Sequence, residues 1–305
     1  MRRCGRQYRS AAHLSNIHCL SGVPAAPRIP LQGPHSEVAA TERNMDWAYK
    51  AMLTALAVAA VLMVATLFSR RLSGLLAGLP VITAPALLWL AHDQGVDFAA
   101  LSANGSIAAC AAAALYAVVY DRLSHRFGPL LSVSASLALG GIAALLLSLL
   151  GAGTSVALAL AVAACALALR ALPADRPPPP PRGVWRQLWL IAGVAGLVSA
   201  AVSLVSTAVG PFWSGLLASL PVISTCALFH QHSTAGGASL RPFLSGYVSG
   251  LVTKALFAAS FAGLVLQAPA ETAFLLAVLL GLFGTFALSL SMRAAREFAA
   301  DLQRR

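Results

Sequence analysis

Nine apolar runs, each long enough to cross the hydrocarbon of a bilayer as a helix, follow one another between residues 47 and 291. They lie at about 47–69, 72–91, 103–120, 130–150, 154–172, 188–209, 212–230, 243–266 and 272–291. Lipid offers no partners to backbone N–H and C=O groups, so a segment of this kind is helical. The expected fold is an all-α polytopic membrane protein with about nine transmembrane helices. A soluble helical protein is excluded by composition: 58% of residues are hydrophobic and only 10% charged, where a soluble domain carries about a quarter.

The runs are not independent. Ser73-Gly74-Leu75-Leu76-Ala77-Gly78-Leu79-Pro80-Val81-Ile82-Thr83 returns as Ser214-Gly215-Leu216-Leu217-Ala218-Ser219-Leu220-Pro221-Val222-Ile223-Ser224, identical at nine of eleven positions with an offset of 141. The same offset carries Thr66 to Thr207, Gly95 to Gly236, Gly105 to Gly246, and Ala114-Leu115-Tyr116-Ala117 to Ala255-Leu256-Phe257-Ala258. Runs one to four therefore match runs six to nine, and run five has no counterpart.

Arg and Lys mark the cytoplasmic ends of short loops. Arg70, Arg71, Arg122, Arg126, Arg170, Arg176, Arg182, Arg186, Arg241, Arg293, Arg296, Arg304 and Arg305 all follow or flank odd-numbered runs; the loops after runs two, four, six and eight contain neither residue. This alternation holds only if run five crosses. The second four-helix unit is then upside down relative to the first. The expected organisation is a first repeat at 45–151, a connecting transmembrane helix at 152–172, a Pro-rich cytoplasmic linker at 173–187, a second repeat at 188–292 and a cytoplasmic tail at 293–305. These make two inverted four-helix repeats plus one connecting helix, with the segment at Met45 outside and the C-terminus inside. Residues 1–44, mixed in Arg, His, Ser and Pro, read as an extension upstream of a true start at Met45, a disordered tail, or a targeting segment.

The repeated segment carries the candidate site. Gly74 and Gly78, and Gly215 and Ser219, place small residues four apart on one helix face, which lets backbones approach closely in lipid. The two motif-bearing runs are expected to cross near the axis relating the repeats. Pro80 and Pro221 interrupt both helices and are expected to free the carbonyls of Leu76 and Leu217, four residues back. Thr83, Ser224 and Thr225 stand beside the breaks. Interrupted helices at matching points of two inverted halves point to a transporter's substrate site. Lys254 lies mid-run, where an ionisable group is costly unless partnered; its counterpart is Ala113, and no carboxylate lies at matching depth. Its expected partner is a hydroxyl, an aromatic face, water or an anionic substrate. Tyr247 is a further candidate pocket residue. The candidate substrate-binding set is Pro80, Thr83, Pro221, Ser224, Thr225, Tyr247 and Lys254.

His230, His232, His92 and Asp93 read as polar membrane boundaries, with proton carriage by the histidines as the alternative; Tyr116, Tyr120, Tyr247, Trp89 and Trp213 read as interfacial belt residues, with pocket aromatics as the alternative. Cys4, Cys19, Cys110, Cys165 and Cys226 show no metal or disulfide spacing. No metal site, cofactor or enzyme motif is expected. The net charge of +11 is membrane topology rather than a nucleic-acid surface.

The first unit resembles the GlpM-like small bacterial inner-membrane proteins and related four-helix proteins. The resemblance rests on Tyr49-Lys50-Ala51, Arg71-Leu72-Ser73-Gly74-Leu75, Leu79-Pro80, Ala86-Leu87 and the segment 116–120. It recurs at 212–221, Ala227-Leu228 and 255–257. It implies a tandem duplication of such a unit and residence in the bacterial inner membrane, and it supplies no substrate. The expected function is a secondary transporter or facilitator of a small, anionic solute, working by alternating access. The alternative is a non-transporting membrane scaffold in cell-envelope biogenesis. Expected partners are the lipid bilayer, the solute and a second copy in a homo-oligomer.

Overall fold

A computed structural model describes residues 48–56, 58–60, 63, 70–151, 153–172 and 185–304. The head at 1–44, most of the linker at 173–187 and most of 61–69, including Thr66, lie outside the described residues. Everything described is helix or short connection, with no strand among the described residues. The elements are α1 (Ala48–Ala60), α2 (Arg70–Gly78), α3 (Thr83–Gln94), α4 (Val96–Ser124), α5 (Pro129–Leu149), α6 (Thr154–Ala171), α7 (Trp185–Val209), α8 (Pro211–Ala218), α9 (Val222–Ala235), a short 3₁₀ turn (Gly237–Ser239), α10 (Arg241–Leu264) and α11 (Ala270–Arg304).

Among the described residues, seven helical segments are long and apolar enough to cross a membrane, counting α2–α3 and α8–α9 as one broken helix each. The protein is a polytopic helical membrane protein on that ground. The expected first run falls partly outside the described residues, and α7 is a helix of 25 residues over the sixth. The observed helices overrun several expected spans. In particular, Arg241 opens α10 rather than lying in a loop.

Alanine and serine decide which helices sit centrally. In α4 and α10, 67% of the apolar stretch is buried, against 22%, 22% and 17% in α5, α6 and α11. Small side chains let α4 and α10 pack on each other and on α6, whose Ala161, Cys165 and Ala168 face inward. The outer helices turn large residues such as Leu130, Leu149, Leu275 and Phe283 outward, as helices in lipid do. Buried serines in α4 return their hydroxyls to the backbone: Ser102 donates to the Phe98 carbonyl at 2.8 Å.

The connections position the site. Gly95 alone joins α3 to α4, with φ of 93°, and Gly236 ends α9 with φ of 74°. Both are left-handed positions that favour glycine. α3 therefore ends beside the first residue of α4. α9 instead ends beside the last turn of α4, where Tyr120 meets His232 and a Cβ on Gly237 would strike the Ser124 carbonyl. The two offset-related half-helices run to opposite ends of one central helix.

The two motif-bearing runs meet at their breaks, α3 against α8 and α2 against α9, but the small-residue faces themselves seat on other helices. α2 lies on α10 and α8 lies on α4. A Cβ on Gly74 would collide with the Phe243 carbonyl, and one on Gly215 with the Ser102 carbonyl. Gly105 and Gly246 stand equally close to the carbonyls of Phe212 and Arg71. Adding 141 to one member of each pair and subtracting it from the other converts Gly74–Phe243 into Gly215–Ser102, and Gly105–Phe212 into Gly246–Arg71. A helix face can be read from sequence spacing; its partner cannot.

Candidate functional site

The breaks are built alike. Around Pro80 the Val81 N–H donates to the Leu79 carbonyl at 2.8 Å, and around Pro221 the Val222 N–H donates to the Leu220 carbonyl at 2.8 Å. Each is an i to i+2 bond, the inverse γ-turn that a proline φ allows; Pro221 has φ −77° and ψ 49°. The helix then restarts, with Ala84 donating to Pro80 and Thr225 to Pro221, both at 2.8 Å.

The carbonyls expected to be freed are not the ones in need. Leu76 accepts from the Leu79 N–H at 3.3 Å and Leu217 from the Leu220 N–H at 3.2 Å, because the turn tightens before the proline. At the second break, the next two carbonyls take side-chain donors. The Thr83 hydroxyl donates to the Ala218 carbonyl at 3.1 Å and lies 3.1 Å from the Ser219 hydroxyl. Lys254 Nζ donates to the Ser219 carbonyl at 3.1 Å. The partner of Lys254 is thus a main-chain carbonyl, none of the kinds expected. The Lys254 side chain caps α8, whose C-terminal carbonyls carry partial negative charge.

Thr83, Ser219 and Lys254 are brought together in this way, all buried. Ser219, expected only to aid helix packing, is central. Ser224, offset-equivalent to Thr83, instead donates to its own Pro221 carbonyl at 3.0 Å and pairs with Tyr247. Thr225 pairs with Tyr116 at 3.1 Å. Pro221, Tyr247 and Lys254 line a small cavity between the two breaks with Thr83, Leu79 and Leu220, whereas Pro80, Ser224 and Thr225 do not line it. Its volume is about 20 Å³, room for a single water molecule. A second, largely apolar cavity of about 80 Å³, lined by Tyr116 and residues of α4 and α5, lies against Ser219, Leu220 and Pro221. The 220–221 segment borders both.

Two polar clusters at the ends of the helices go beyond the sequence-based expectation. At one end, Lys50 of α1 pairs with Asp93 of α3 at 2.7 Å and sits 5.7 Å from the Trp89 ring centre; His92 lies 3.2 Å from Glu271 of α11. At the other end, Arg241 Nε donates to Asp121 Oδ1 at 3.0 Å, His125 Nε2 lies 3.7 Å from the same oxygen, and Tyr120 pairs with His232 at 3.1 Å. Tyr116 and Tyr120 are fully buried rather than interfacial, and His232 is buried beside Tyr120. The signal in the sequence is Asp121 itself, an acid in the last turn of α4 directly beside Arg122.

Among the described residues no group of three His, Cys, Asp or Glu side chains is arranged to hold a metal ion. No family model, curated protein or solved structure matches this chain.

Proposed function

We propose that the protein is a secondary transporter or facilitator for a small anionic solute, and that it works by rocking two inverted repeats about the paired breaks. In this reading the repeats arose by duplication of a four-helix unit like the GlpM-like proteins. The chain makes nine crossings of the bacterial inner membrane, with the Met45 segment outside and the C-terminus inside.

One observation carries the proposal. The breaks meet across the repeat boundary: Thr83 of the first reaches the Ala218 carbonyl and Ser219 hydroxyl of the second, with a buried lysine on the same turn. Such breaks at matching points of inverted halves form transporter sites in membranes. The interchange of the glycine contacts supports a two-fold relation between the units. The opposite courses of α3 and α9 along α4 support its inverted sense. Lys254 supplies the positive charge that an anion needs at this depth. A displacement of 220–221 would join the two flanking cavities.

The tightness of the site favours a second reading, a membrane scaffold without flux. A space for one water admits no solute until the breaks part.

Flux of a panel of small organic anions into proteoliposomes separates the two. The transport reading expects at least one solute to enter and the same solute to raise the melting temperature of the purified protein, since a ligand bound only to the folded state stabilises it. No flux and no thermal shift across the panel, with a partner protein co-purifying, overturns it in favour of the scaffold.

A further inference from the structure

We infer that the Asp121–Arg241 pair is a latch that holds the α4–α10 seam closed at one end of the molecule, so that the seam parts first at the opposite end.

Among the described residues two ion pairs bridge the repeats, one at each end. Asp121 closes α4 of the first unit onto Arg241 of α10 in the second, at 3.0 Å. His92 of α3 meets Glu271 of α11 at 3.2 Å. Their environments differ. The Asp121 side chain is 1% exposed and that of Arg241 36%, while His92 and Glu271 are 45% and 63% exposed. An exposed pair is weakly stabilising, and this one is ionic only when the imidazole carries a proton. Separating Arg241 from Asp121 leaves a buried carboxylate without its counter-charge, which is far more costly.

The surroundings raise that cost. Asp121 Oδ2 is buried with no donor, so Oδ1 and its arginine supply the carboxylate's observed side-chain bond. Arg241 Nη2 also lies 3.4 Å from His125 Nε2, and Ser124 returns its hydroxyl to the Asp121 carbonyl at 2.9 Å. Gly237 presses on the Ser124 carbonyl, so the chain entering α10 seats directly over the pair. By the arginine rule this is the cytoplasmic end. As a transport gate the latch rests on the function proposed above; as a closure of one end it does not.

Backbone hydrogen–deuterium exchange of the full chain in nanodiscs, without solute and at one pH, tests it. Asp121→Asn is expected to speed exchange at 236–244 roughly tenfold or more, the release of one charge-assisted hydrogen bond, and to leave 88–94 and 270–275 unchanged. Arg241→Gln is expected to act on the same segment, which keeps the test open if the first variant folds poorly. His92→Ala is expected to change neither end more than about threefold. Unchanged exchange at 236–244 in both latch variants overturns the inference, as does equal acceleration at both ends. Because no solute is present, loss of the transport reading leaves these outcomes in place.

Discussion

Gly74→Ala and Gly215→Ala each destabilise the folded protein by about 3 kcal/mol or more, the upper range for overpacking, because the obstacle is backbone. A Cβ on Gly74 would sit inside the contact distance of the Phe243 carbonyl, and one on Gly215 inside that of the Ser102 carbonyl. Neither carbonyl can rotate away, since each belongs to a central helix. The helices must separate, which removes the dispersion contacts that replace hydrophobic force in lipid. Gly263→Ala is the control: nothing lies within 4 Å of a Cβ there, and alanine is the better helix former by about 1 kcal/mol. Thermal unfolding in detergent checks all three. If Gly74→Ala melts like the Gly263 variant, α2 is not seated on α10.

On the transport reading proposed above, Lys254→Met is expected to stabilise the fold and to abolish solute flux. A buried ammonium loses several kcal/mol of hydration, and a single charge-assisted bond to the Ser219 carbonyl returns about 1.5–3 kcal/mol of it. Methionine matches the volume without the charge. The Ser219 carbonyl then lacks its donor, although its hydroxyl neighbour Thr83 stays in place. The expected net gain is about 1–3 kcal/mol. A destabilising residue retained at the meeting point of two broken helices is the pattern of a functional site. Melting temperature and solute flux are measured on the same preparation. A variant that is both less stable and fully active makes Lys254 a structural cap on α8 and nothing more.

The breaks are legible in the sequence because their cause is local: proline denies one N–H wherever it falls. The same chain chemistry then gives the same turn at Leu79–Val81 and Leu220–Val222. The consequences of the prolines are harder to read. The turn tightens one residue early, so the orphan carbonyls shift from Leu217 to Ala218 and Ser219, and it is the tertiary fold that brings Thr83, 135 residues away, to the first of them. The small-residue faces are visible in the spacing, but their partners are not, since the motifs seat on long helices distant in the chain, α2 on α10 and α8 on α4. Asp121 is hidden for a related reason. Its partner Arg241 lies 120 residues away, and counting basic loop residues to assign sides passes over the acid among them. Tyr116 and Tyr120 read as interfacial because tyrosine favours that depth, while their burial depends on α9 folding back over the end of α4.

The head-to-tail relation of the repeats is tested most directly at offset-equivalent positions. His92 and Ser233, 141 residues apart, are both exposed near the ends of α3 and α9. Each is replaced singly by cysteine and exposed to a membrane-impermeant maleimide, with the unsubstituted chain as background. The inverted arrangement predicts labelling of His92→Cys in intact cells and of Ser233→Cys only after permeabilisation. Labelling of both from the same face contradicts it.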